Sequence, residues 1–106
     1  MKVGTDIVFI PRFEKLMENE KFIKKVFHSS ECKQYTSEHL AGVFAAKEAF
    51  FKAIDKKPDW LRVEVRKQCT GRPVIASDID GLGATDVSIS HDNDYATATV
   101  IVKNVE

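Results

Sequence analysis

The chain has 106 residues, 43% hydrophobic and 30% charged, with 16 lysines and arginines against 16 aspartates and glutamates. That length suits one domain, 1–106, with a single core, and the balanced charge gives no polyelectrolyte signal for a nucleic acid or an anionic membrane. No run approaches the ~18 apolar residues of a membrane span, and Met1 leads straight into a strand-like segment without a secretory leader pattern, so the cytoplasm is the expected location. The two cysteines, Cys32 and Cys69, lack CxxC spacing and read as reduced thiols, not as a disulfide framework or a zinc site.

Lys2 to Ile10 alternates and is rich in β-branched residues, which predicts a strand with Val3, Thr5, Ile7 and Phe9 on one face and Gly4, Asp6, Val8 and Ile10 on the other. Asp6 is the misfit. A carboxylate within an apolar strand is costly to bury unless it is paired, hydrogen-bonded or bound to a cation. The alternative is an exposed or capping carboxylate. Gly4, two positions earlier on that face, is expected to leave space beside it. Pro11 stops the strand and suits a first helical turn. Phe13, Leu16, Met17, Phe22, Ile23, Val26 and Phe27 then recur at helical spacing, as one broken helix or two short ones. The outer face of this segment carries Arg12, Lys15, Lys21, Lys24 and Lys25, either a solvated face or a dock for an acidic partner. Ser29 and Ser30 offer N-caps for a short helix ending near Tyr35, and Thr36 or Ser37 for the next one. His28 and His39, without metal-ligand spacing, read as surface histidines.

The run from Leu40 to Ile54 predicts a central helix with an apolar stripe of Leu40, Val43, Phe44, Phe50, Phe51 and Ile54. Its other side carries Ala41, Ala45, Glu48 and Lys52, close to Gly42. Glu48 and Lys52 at i,i+4 are either an ordinary helix ion pair, contributing roughly 0.2–0.5 kcal/mol, or an acid and a base that share a ligand in the room left by their small neighbours. After the loop Asp55-Lys56-Lys57-Pro58-Asp59, Leu61, Val63 and Val65 alternate with Arg62, Glu64 and Arg66 as a half-buried strand. Thr70-Gly71-Arg72-Pro73 turns the chain into a second strand at Val74-Ile75-Ala76, and Ser77 to Gly83 has room for a short helical turn. Asp86 to His91 and Tyr95 to Val102, joined by Asp92-Asn93-Asp94, form a β-hairpin with Ser90 and His91 at its turn end.

Three blocks in this order carry a family resemblance: Val3-Gly4-Thr5-Asp6-Ile7 with Arg12, Phe44-Ala45-Ala46-Lys47-Glu48-Ala49 with Lys52-Ala53, and Val87-Ser88-Ile89-Ser90-His91. With the Gly71-Arg72-Pro73 turn between the last two, they resemble the short class of 4′-phosphopantetheinyl transferases, the holo-acyl-carrier-protein synthases, over essentially the whole chain. The resemblance implies transfer of 4′-phosphopantetheine from coenzyme A to a serine of apo acyl carrier protein, with release of adenosine 3′,5′-bisphosphate, in fatty acid biosynthesis. It implies that Asp6 and Glu48 ligate Mg²⁺, an oxygen-preferring cation that also grips the coenzyme A pyrophosphate. Asp6, Glu48 and Lys52 are then catalytic, with Lys52 against the same phosphates. Either carboxylate, or a water beside the metal, can take the serine proton. Ser90, His91, Arg72 and Pro73 join Lys52 as coenzyme A contacts, and Arg12, helped by Lys15, meets the acidic helix of the carrier protein. The resemblance also implies a homotrimer with active sites between subunits. Two departures stand out: Val43 where many members have arginine, and the Asp55–Pro58 loop where they are glycine-rich, which leaves Lys56 or Lys57 to supply the missing cation.

The expected fold is α+β, a few helices packed on a small, mostly antiparallel sheet. Two other functions compete with the transferase. A non-catalytic module for coenzyme A or carrier protein would need no metal pair, and a magnesium-dependent phosphate-ester hydrolase would want a further carboxylate cluster for a second metal, which the sequence lacks.

Overall fold

The computed structural model describes residues 1–105. Strand β1 (Lys2–Phe9) leads through Pro11 into α1 (Ile10–Met17), and α2 (Glu20–Val26) follows after a break at Glu18-Asn19. The break has a cause: the Asn19 side chain accepts from Lys21 N at 2.9 Å and caps α2, so the helical spacing is that of two helices. A 3₁₀ turn (Ser29–Cys32), helix α3 (Ser37–Ile54) and a second 3₁₀ turn (Trp60–Arg62) come next. The residue that starts the first turn is His28, not Ser29 or Ser30, and Glu31 closes it by accepting the His28 N–H at 2.7 Å. Thr36 caps α3 by accepting from His39 N at 3.1 Å, and Asp55 ends it in the left-handed region, φ 57°.

Strands β2 (Val63–Lys67) and β3 (Pro73–Ser77) pair as one antiparallel hairpin, while β4 (Thr85–Asp92) and β5 (Tyr95–Val102) join β1 in an antiparallel sheet of order β1-β5-β4. The fold is therefore α+β, as expected, with two small sheets in place of one. Residues 78–84 form a turn at Asp80-Gly81 and not a helix.

Helix α3 crosses the three-stranded sheet from β4 to β1. A Cβ on Gly42 would come within 2.9 Å of Ile89 Cγ2, whereas a Cβ on Gly4 would fall 1.8 Å from the carbonyl oxygen of Ala49. Gly4 thus opens no space for a ligand. It lets the backbones of β1 and α3 touch. The alanines of α3 have the same use. Ala41, Ala45, Ala46, Ala49 and Ala53 are all buried against the sheet or its surroundings, so they are packing surface and not ligand room. On α3's other flank, Phe44 packs at a tilt against Phe13 (centroids 5.4 Å) and stacks on Trp60 (5.2 Å), which joins α1 and the second 3₁₀ turn to the helix. Each such pair adds about 0.5–1.5 kcal/mol beyond the area it buries.

Among the described residues nothing covers the far face of the three-stranded sheet. Val3 and Ile7 are 65% and 63% exposed and Tyr95 is 47% exposed, with Ile101 paired across from Val3. Among the described residues no helix is long and apolar enough to cross a membrane.

Candidate active site

Asp6 lies on the α3-facing side of β1, in register with Ala98 of β5 and through it with Ile89 of β4. Its side chain keeps only 15% of its surface. Lys52, in the last turn of α3, reaches across and donates to Asp6 Oδ1 at 3.0 Å and to the Thr5 carbonyl at 3.1 Å. The i,i+4 ion pair with Glu48 is not formed among the described residues, because the ammonium is turned to the strand instead. Glu48, one turn earlier, is half-buried, and its pKa is pushed up, first by burial and then by the Asp6 carboxylate, with Lys52 pulling it back down. Two acids thus converge from a strand and a helix on one place, their repulsion only partly relieved by one lysine. A cavity of about 410 Å³ opens there, lined by Glu48, Phe51, Lys52, Asp55, Lys56, Lys57 and Pro58.

The donor chemistry fits a hard divalent cation. Asp6 and Glu48 supply two carboxylates, and no cluster of three or more histidine, cysteine or acidic side chains exists among the described residues to complete an all-protein cage. Mg²⁺ is commonly held in this way, by one or two carboxylates with water and substrate phosphates in its other positions.

His91 faces a second cavity, about 210 Å³, at the opposite edge of the sheet, with His39, Gly42, Val43, Val65, Lys67, Gly71, Pro73 and Ile89 around it. Its Nδ1 lies 2.8 Å from Glu38 Oε1. Ser90, the preceding residue on the strand, points to the outer face instead and does not line this cavity. Arg72 stands outside it too, held by Asp86 at 2.8 Å, while Pro73 forms part of the wall. Val43 opens on this second cavity, where the available cation is Lys67. Within one chain Lys56 and Lys57 border the Glu48 cavity and not the one at Val43. Arg12 extends over the Phe9 ring, 5.6 Å from its centroid, beside Ile7 and Tyr95, and Lys15 is exposed in the last turn of α1.

The two histidines expected at the surface are half-buried. His39 Nε2 lies 3.0 Å from the Glu31 carbonyl, and His28 Nε2 is buried without a partner among the described residues. Sequence reasoning gave no role of their own to Lys47, quoted only as part of a motif block, or to Glu31, yet the two form a fully buried ion pair at 2.7 Å directly before Glu48. Burial lowers the Lys47 pKa, and the hydrogen bond and charge of Glu31 raise it again. The available signal was a lysine enclosed by Phe44, Ala45, Ala46, Ala49 and Phe50, with no polar neighbour on its own side of the helix.

Residues 2–100 match the model of the 4′-phosphopantetheinyl transferase superfamily, and the chain belongs to that superfamily and, within it, to the holo-[acyl-carrier-protein] synthases. A holo-[acyl-carrier-protein] synthase of Geobacillus sp. is 36% identical, over 97% of this chain and 96% of its own. The structure resembles the Helicobacter pylori holo-[acyl-carrier-protein] synthase in complex with coenzyme A (TM-score 0.87, 32% identity, 95% of this chain and 99% of that one). It also resembles the Bacillus anthracis holo-(acyl-carrier-protein) synthase in complex with coenzyme A (TM-score 0.84, 30% identity, 95% and 94%).

Proposed function

We propose that this protein is a cytoplasmic holo-[acyl-carrier-protein] synthase, its residues 1–106 forming a single transferase domain that moves 4′-phosphopantetheine from coenzyme A to a serine of apo acyl carrier protein. The convergence of Asp6 with Glu48 and Lys52, the latter two lining the 410 Å³ cavity, carries the reading. Asp6 and Glu48 would hold Mg²⁺, which supplies Lewis-acid polarisation of the pyrophosphate and relieves the repulsion between the two acids. Lys52, now occupied by Asp6 and Thr5 O, is within a side-chain swing of the same place. Once the carboxylates have a cation of their own, it is free to pair with the phosphate oxygens. Lys56 and Lys57 add positive charge at the rim.

In the reaction the serine hydroxyl oxygen bonds to the β-phosphorus of coenzyme A, and the bond from that phosphorus to the bridging oxygen breaks. Adenosine 3′,5′-bisphosphate carries the electron pair away, and the serine proton passes to a carboxylate of the pair or to a water beside it. The protein's part is positioning and charge stabilisation at the phosphoryl oxygens, where Lys52 acts.

The His91 cavity lies at the other edge of the sheet from Glu48, and α3 with its buried alanines fills the space between. A phosphate-rich ligand that used both would be served by two copies side by side, Glu48 from one and His91 with Pro73 from the next. The bare apolar face at Val3, Ile7, Tyr95 and Ile101 gives those copies a surface to share, and a homotrimer closes such a contact. Ser90 and Arg72, which line neither cavity of their own chain, would add donors to coenzyme A only at such a junction. Arg12, with Lys15, is the docking point for the acidic carrier protein.

The test is release of adenosine 3′,5′-bisphosphate from coenzyme A with and without apo acyl carrier protein. Release only in the presence of the carrier supports the transferase. Release without it points to a hydrolase, and none under either condition to a binding module.

A further inference from the structure

Lys47 precedes Glu48 by one residue and leaves α3 in a different direction. Its ammonium donates to Val26 O at 2.6 Å, to Glu31 Oε1 at 2.7 Å and to Trp60 O at 3.4 Å, one acceptor for each N–H. Glu31 is as fully occupied. Its Oε1 also accepts from His28 N at 2.7 Å and its Oε2 from Val65 N at 2.7 Å. Both side chains have no exposed surface, so neither has an atom to offer a ligand.

Filling this volume does not require charge. Apolar residues of similar size commonly serve a fold as well as a buried ion pair does, because taking two ions out of water costs about as much as their attraction returns. Hydrogen-bonded ions supply direction. From one point on α3, this pair fixes the end of α2 at Val26, the turn at His28–Glu31, the turn at Trp60 and strand β2 at Val65. The last tie matters most. The β2–β3 hairpin belongs to a separate sheet with no ladder to β1-β5-β4, yet its Val65 and Lys67 form a wall of the His91 cavity. The same anchor sets the rotation of α3. Successive side chains leave a helix about 100° apart, so holding Lys47 against the turns aims Glu48 at the side where Asp6 lies.

We propose that Lys47 and Glu31 are positioning residues that lock Glu48 toward Asp6 and hold the β2–β3 hairpin at its distance from α3, acting through Glu48 and Val65 without touching substrate. The proposal rests on the reading of Glu48 and the His91 cavity as parts of the transferase site.

The variant that tests it is Lys47→Met with Glu31→Gln, which removes both charges and strands neither. Three measurements go together: amide hydrogen exchange at Val65 by NMR, the melting temperature, and the separate kcat and KM for coenzyme A well below that temperature. We expect a folded protein in which Val65 N–H exchanges at least tenfold faster, KM for coenzyme A rises at least fivefold and kcat falls at least tenfold. A folded double variant with Val65 exchange, kcat and KM all within twofold of the parent overturns the proposal and leaves the pair a packing element. Should the double variant not fold, Glu31→Gln alone carries the comparison. It keeps the shape but has one oxygen acceptor for three donors, and unchanged Val65 exchange and KM there overturn the proposal equally. If the parent protein transfers no phosphopantetheine, the functional reading fails by itself. The exchange rate at Val65 then still decides whether the pair holds the hairpin.

Discussion

Replacing Gly4 by alanine adds one methyl group where β1 meets α3. That carbon would sit 1.8 Å from Ala49 O and 2.8 Å from Ala53 N, against an ordinary contact of 3.4 Å or more. Strand and helix must therefore separate by about 1.6 Å, and both obstructing atoms are backbone, so no rotamer change relieves the clash. Overpacking a core costs about 1–3 kcal/mol where side chains can shift, and a backbone clash belongs at or above the top of that range. A gap of 0.5–1 Å already forfeits a quarter to a half of the dispersion between facing atoms. Against this, Gly→Ala returns about 0.4–1 kcal/mol by restricting the unfolded chain. The net is a loss of about 2–3 kcal/mol, which for a chain of this size lowers the melting temperature by about 8–24 °C at 4–8 °C per kcal/mol. Circular dichroism melts of Gly4→Ala and the parent, under matched concentration and buffer, measure it directly. Because α3 carries Glu48 as it retreats from Asp6, turnover at a temperature where both proteins are folded should fall as well. A variant that melts within about 2 °C of the parent, or above it, would refute the close approach on which the geometry of the site depends.

Asp6→Asn and Glu48→Gln should each cost at least about a hundredfold in turnover with little change in melting temperature, and Lys52→Met should cost about 10- to 100-fold, chiefly in kcat. Wild-type rates in either carboxylate variant, measured by carrier modification, would remove that residue from the site. Arg12→Glu should raise KM for the carrier protein severalfold and flatten its salt dependence while KM for coenzyme A stays unchanged, and steady-state kinetics with each substrate varied in turn separates the two. If copies join through the bare sheet face as proposed, Ile7→Lys should dissociate them in sedimentation velocity, and an unchanged sedimentation coefficient would contradict that interface. Mixing inactive Glu48→Gln with inactive His91→Ala should restore part of the activity if the two cavities cooperate across subunits, and no recovery after subunit exchange would contradict that arrangement.

Strands, helices and their order were legible because the relevant signals are local. The alternation of Lys2–Phe9 and Asp86–Val102, Pro11 at the start of a helix and Thr36 at the cap of another each act within a few residues. Asp6 was legible as a chemical misfit, and Glu48 with Lys52 as a pair, although their partnership was read along the helix when it runs across to the strand. Three features were misread or missed because they are set by what approaches from elsewhere in the chain. Gly4 and the alanines of α3 looked like room for a ligand, but small residues bring backbones together as readily as they leave space, and only the helix–strand distance distinguishes the two. Lys47 is polar in sequence and buried in fact, since its acceptors come from residues 26, 31 and 60. Lys67 reached the cavity that opens at Val43 through the β2–β3 hairpin, a tertiary placement that no periodicity encodes.

The proposed reaction stands on one assignment, that Asp6 and Glu48 form the divalent-cation site of a phosphopantetheinyl transferase. It is tested most directly by the intact mass of an apo acyl carrier protein after incubation with this protein, coenzyme A and Mg²⁺, in parallel with a chelator and with Asp6→Asn. A gain of one phosphopantetheine is expected in the first sample and none in the other two. An unmodified carrier in all three, or equal modification with the chelator or with Asp6→Asn, would contradict it.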